Sequence, residues 1–120
     1  MANISSEFLE EKPTSDDIQS CLDRLVKAIN GALTNHQKRI QSFYKQNEID
    51  ADAQEQILEE IESIRTTVYT LINMLENCDV KSKKQLKEYE NSINNVISNM
   101  IMGLVELIEI KLENGRNQEL

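Results

Sequence analysis

From Ile57 to Cys78 the apolar residues fall at alternating steps of four and three: Ile57, Ile61, Ile64, Val68, Leu71, Leu75, Cys78. Residues three and four apart share one face of an α-helix, whereas a strand repeats every second residue. A seam this regular is heptad-like and needs other helices packed along its length. Leu58, Ile72 and Met74 widen it.

Two more stretches carry the same period. One opens at Thr14-Ser15-Asp16-Asp17, a capping residue followed by acids that the helix dipole favours. Its stripe is Ile18, Leu22, Leu25, Ile29, Leu33, Ile40 and Phe43, with His36 filling the gap after Leu33. Gly31 lies inside it and costs about 1 kcal/mol relative to Ala. This helix is expected to end near Gln46-Asn47, and the second to run from Asp50 or Asp52 to Asn77-Cys78-Asp79. The third opens with Ser82-Lys83-Lys84-Gln85, which fits a capping box. Its stripe is Leu86, Tyr89, Ile93, Val96, Met100, Leu104 and Leu107, with Ile108 and Leu112 beside it. Asn114-Gly115 is a common C-terminal stop, which leaves 115–120 as a frayed tail.

Three Gly and one Pro in 120 residues leave little turn chemistry, so the elements must be few and long. Helices of this size are roughly 40–50 Å long. Connections of a few residues force neighbours to be antiparallel. The expected fold is all-α: an up-down-up antiparallel three-helix bundle over residues 15–114. Residues 1–14 form a flexible or loosely docked N-terminal arm, set off by Pro13 and given a short apolar face by Ile4, Phe8 and Leu9. Such a module resembles, in architecture, co-chaperone domains of the BAG type. The Arg/Lys run those domains carry in their last helix has no counterpart between Ile93 and Leu104, so the resemblance implies no partner and no family is assigned.

The net charge is −8, unevenly spread. Glu48 to Val80 hold nine acids against the single base Arg65. Helix one ends basic (Lys38, Arg39, Lys45) and helix three starts basic (Lys81, Lys83, Lys84, Lys87). In an antiparallel bundle each basic end is expected to lie beside acids: the start of helix two, and Asp16, Asp17 and Asp23. Nucleic acid is not an expected partner of an acidic chain whose basic run is short and lacks stacking aromatics. Neither is a membrane, because Asn99, Glu106, Glu109 and Lys111 interrupt the most apolar stretch, 96–112. The first residues lack a basic start and an apolar run, so an intracellular, soluble protein is expected and the sequon Asn3-Ile4-Ser5 carries little meaning.

No catalytic, cofactor or metal site emerges. Glu55, Glu59 and Glu62 share a helix face, but di-iron bundles need Glu-x-x-His pairs and the chain has one histidine, His36. Asp50-Ala51-Asp52 begins like a calcium loop, yet Glu55 stands at its glycine position and Ile61 at its final glutamate. Cys21 and Cys78 should meet at one end of the bundle as reduced, packed thiols.

The feature a lone three-helix bundle does not explain is the apolar breadth of Met100, Ile101, Met102, Leu104, Val105, Leu107, Ile108 and Ile110. The N-terminal arm, a second copy or a partner helix is expected to cover it, through Met100, Ile101, Leu104, Val105, Leu107 and Ile108. The expected function is that of a non-enzymatic interaction module without cofactors, self-associating as a homodimer or docking into a larger assembly. The alternative is an acidic regulator that binds a basic protein through 50–62, with Glu55, Glu59 and Glu62 as its face.

Overall fold

The computed structural model describes residues 9–119. The expectations for Ile4 and Phe8 fall outside the described residues. Among the described residues the long elements are three α-helices with no strand: α1 (Ser15–Lys45), α2 (Ala51–Glu76) and α3 (Lys83–Glu119). Each helix touches the other two. The body is a rod of 66 × 27 × 16 Å, as long helices lying side by side require.

The helix starts are where the capping residues put them. The Asp17 amide donates to Thr14 Oγ1 (3.1 Å) and the Thr14 amide to Asp17 Oδ2 (2.9 Å), a reciprocal box. Those bonds hold the Asp17 carboxyl below its ordinary range. Asp50 caps α2 by accepting from the Ala53 amide (2.8 Å). At α3 the Gln85 amide donates to Ser82 Oγ (3.0 Å), while Gln85 Oε1 takes the amide of Lys81 (2.7 Å), one residue before the cap. After the cap Gln46 of α1, Asn47 turns the chain at φ 60°, a conformation Asn tolerates better than most residues.

The core is aliphatic. Leu25, Ile29, Leu33 and Ile40 of α1, Ile57, Ile61, Ile64 and Val68 of α2, and Leu104 and Ile108 of α3 are sealed from solvent. Two stripes differ from the sequence pattern. In α2 the seam passes from Val68 to Ile72 and Leu75, and Leu71 is only half-buried. In α3 it runs Leu86, Ile93, Ile97, Leu104, Ile108, so Ile97 takes a core place that the pattern gave to Val96 and Met100. Both helices face two neighbours at once, and the buried direction is set by those neighbours together.

Polar contacts set the lengthwise fit. The Tyr69 hydroxyl of α2 donates to Asn30 Oδ1 of α1 (2.9 Å). Arg24 of α1 makes a two-pronged bond to Glu90 of α3 (2.8 and 2.9 Å), which holds the Glu90 carboxyl below its ordinary range. Lys83, at the start of α3, lies 4.0 Å from Asp17 and 3.6 Å from Glu11.

The other expected charge match is absent. Among the described residues no ion pair joins Lys38, Arg39 or Lys45 to the acidic start of α2, and Arg39 lies instead over the Phe43 ring of its own helix (5.7 Å). Exposed charges at helix ends gain little from pairing, so side-chain freedom wins.

The end of α3 is a second correction. Helix continues through Asn114 and Gly115 to Glu119, and Gly115 has no positive φ. Its lack of a side chain serves packing: a Cβ there would run into the Glu48 carbonyl oxygen of the α1–α2 connection. By length and composition alone α3 is also apolar enough to cross a membrane, which the sequence reading did not expect. Its Ile93, Ile97, Leu104 and Ile108 are taken up by the core.

Candidate interaction surface

The residues proposed from sequence as the α3 interface divide into two groups. Leu104 and Ile108 are fully buried within the single chain, and Met100, Ile101 and Leu107 are half-buried and packed against the same core. Val105 is half-buried. What α3 leaves open is Met102 (62% exposed) and Ile110 (54%), with Glu106 and Glu109 exposed between them. The apolar circumference of α3 is thus mostly used by α1 and α2, which lie on two sides of it.

The N-terminal arm is held at the far end from this zone. The Lys83 amide donates to the Glu11 carbonyl (2.8 Å) and Lys12 lies 3.9 Å from Asp79, so residues 11 and 12 cross the α2–α3 connection. Ile110 lies about 40 Å along α3 from Lys83. Residues 1–10, fully extended, span about 33–36 Å.

A different surface appears between α2 and α3. Leu71, Met74, Leu75 and Cys78 face Tyr89, Ser92 and Ile93 across an apolar groove of about 260 Å³. Met74 is 63% exposed there. Burial pushes the Tyr89 hydroxyl up in pKa, and the Cys78 thiol beside it adds to the shift. At the other end of the same pair of helices, Ala53 and Gln56 of α2 share a cleft of about 360 Å³ with Lys111, Asn114 and Gly115 of α3 and the 47–50 connection. The two clefts frame one face of the rod. Along it α3 presents Tyr89, Ser92, Val96, Asn99, Gly103, Leu107 and Ile110, at helical steps of three and four, with no charge. On α2 the matching flank is Glu60, Ser63, Thr67, Leu71 and Met74, with one charge. Residues 91–105 of α3 carry no charge on any side, so the uncharged character belongs to the middle of the helix as a whole. Sequence patterning missed it because Met74 and Tyr89 were assigned to core stripes; the missing signal was the uncharged run flanking those stripes.

Gly103 lies on this face. It is exposed, and a Cβ built on it meets nothing within 4 Å. A mid-helix Gly costs about 1 kcal/mol relative to Ala, and no contact within the chain requires it.

The acidic residues Glu55, Glu59 and Glu62 are all exposed. Glu62 lies 3.4 Å from Arg65 one turn on, and among the described residues Glu55 and Glu59 have no ion pair. Among the described residues, no three His, Cys, Asp or Glu side chains are placed to hold a metal ion.

The two cysteines are free and differ sharply. Cys21 is fully buried, and its thiol is pushed up to about 11 by burial, with the Glu90 carboxylate beside it adding to the shift. Cys78 is exposed, not packed as the α2 stripe implied. Helix α2 ends at Glu76, so the helical period no longer governs where residue 78 points.

His36 is half-buried, and its Nδ1 is enclosed without a hydrogen-bond partner. Burial holds its pKa below the ordinary value near 6.5, and the Arg39 charge adds to the effect. The unfolded chain therefore binds the proton more readily than the folded one. Stability is fully present above about pH 6.5 and falls as pH drops through the window below it. The thermal midpoint should decline from pH 7 to pH 5, and in His36→Leu that decline should be smaller. An unchanged slope in the variant would show that His36 is not the titrating group.

Compared with family models, with curated proteins and with solved structures, the chain matches none.

Proposed function

We propose that the chain is a non-enzymatic protein-interaction module: a soluble, intracellular up-down-up helical bundle that self-associates through the α2–α3 face, with α3 as the principal docking helix. The observation that carries this reading is Gly103. It is an exposed mid-helix glycine with open space above it, set in an uncharged stretch of α3, 91–105. Glycine at such a place lets another backbone approach closely. Glu60 is the one charge on the strip, at its α2 flank, so the strip offers little to select a charged partner. Two copies related by a two-fold axis would place like against like with little repulsion. The strip is about 30 Å long and two helices wide, at about 10 Å each. It covers roughly 600 Å² per copy, toward the small end of specific interfaces, so association in the micromolar range is expected.

Light scattering should give a mass approaching twice the 13.8 kDa of one chain as concentration rises. Gly103→Arg should return the mass to that of one chain without loss of helix content, since the site is open. A second reading rests on the exposed, unpaired Glu55 and Glu59: an acidic regulator of a basic protein. A single-chain mass at every concentration, together with a basic-protein complex lost on reversing Glu55, Glu59 and Glu62 to Lys, would replace the first reading with the second.

A further inference from the structure

The nine residues 91–99 of α3 are all Asn, Ser, Ile or Val. Each of these ranks below the group of good helix formers, which is Ala, Leu, Arg, Met, Lys, Gln and Glu. Elsewhere in the three helices the longest run without a good helix former is five residues, 66–70. The stretch carries no charge, so no ion pair along the helix supports it. Among the described residues its side chains make no hydrogen bond. The helix therefore holds its shape there through packing alone.

The two halves of α3 are fastened differently. Leu104 and Ile108, after the stretch, are sealed from solvent, whereas Leu86, Ile93 and Ile97 each keep 6–7% exposure. Before the stretch, polar contacts join α3 to α1. Glu90 takes the two-pronged bond from Arg24 (2.8 and 2.9 Å), and Lys83 lies 4.0 Å from Asp17. We propose that 83–99 opens from the bundle as one unit while 100–112 stays seated, with the Arg24–Glu90 pair as its latch. The helix gives way at 91–99 because its own propensity is lowest there. Opening uncovers Leu75, which lines the groove with Ile93, and Cys21, which is buried beside Glu90. Core residues of α1 and α2 thus come within reach of solvent or a partner without global unfolding. The inference does not rest on self-association.

Amide hydrogen exchange of the full chain tests this, at a concentration where light scattering gives the mass of one chain. Amides of 91–99 should share one level of protection and exchange at least about ten-fold faster than those of 104–112 and 57–68. Protection that climbs residue by residue from Lys83 would be fraying of a helix end and would overturn the proposal. So would one level of protection along all three helices. Substitutions separate the unit from the whole. Ile108→Val, in the seated part, should speed exchange at 104–112 by about two- to ten-fold and leave 91–99 unchanged. Equal acceleration of both would show that 91–99 exchanges only by global unfolding, and the unit would not exist. Glu90→Gln should speed exchange at 91–99 at least about five-fold; an unchanged rate there means that the pair is no latch. Asn95→Ala with Ser98→Ala, both at exposed positions, should slow exchange at 91–99 by about two- to five-fold. No slowing would show that weak propensity does not set the opening.

Discussion

Leu104→Ala should cost about 2–5 kcal/mol of folding stability, the range for emptying a fully enclosed leucine site. Leu104 is 0% exposed within a single chain. At this chain length the loss corresponds to a fall in thermal midpoint on the order of 10 °C or more. Met102→Ala, two residues earlier and 62% exposed, should change stability by no more than about 0.5 kcal/mol. The pair separates core from surface on one helix. If Leu104 were an interface residue, its truncation would lower the oligomer mass and make the midpoint depend on concentration. Denaturant unfolding at two protein concentrations distinguishes the outcomes. Equal effects of the two substitutions would show that α3 is not seated as described.

Gly115→Ala should destabilise, although alanine is the better helix former. The added methyl would meet the Glu48 carbonyl oxygen; that oxygen is backbone and a Cβ is fixed by its own backbone, so no side-chain rotation relieves the contact. The last turn of α3 must lift or the 46–50 connection must move, at roughly 1–3 kcal/mol. That exceeds the gain of about 1 kcal/mol from helix propensity. Gly31→Ala is the control. It is exposed, with nothing within 4 Å of its Cβ position, and should stabilise by up to about 1 kcal/mol. Opposite signs at two helical glycines are the expected result of thermal or urea unfolding. Stabilisation at both would mean that the end of α3 does not rest on Glu48.

Much of this molecule is written locally. Thr14, Asp50 and Ser82 cap their helices because a side-chain oxygen two or three residues upstream of a free amide satisfies it wherever the helix later packs. The central stripes of α1 and α2, from Leu22 to Ile40 and from Ile57 to Val68, are legible for a similar reason. A regular period of three and four needs no knowledge of the partner to define a buried side. Legibility fails where two neighbours compete for one helix. Ile72 displaces Leu71, and Ile97 displaces Val96 and Met100, because the buried direction is a compromise between two packing partners. It fails again at glycines, since Gly115 reads as a stop but serves a contact 67 positions away in sequence, at Glu48.

The candidate surface shows the same division. The apolar breadth of 100–110 was visible, but Leu104 and Ile108 are sealed in the core and Met100, Ile101 and Leu107 pack against it, because α3 lies against two helices at once. Glu55, Glu59 and Glu62 were placed on one exposed face by period alone, and the structure leaves them there. The α2–α3 groove was invisible, since it consists of the flanks of two stripes brought together, and no single stretch of sequence contains both.

By itself, then, the sequence determined three helices, their starts and the centres of their buried stripes, all of them matters of hydrogen bonding and period within about four residues. Only the tertiary structure decided which side of α3 stays open, why residue 115 is glycine and which charges pair, because each depends on distances between residues far apart in the chain.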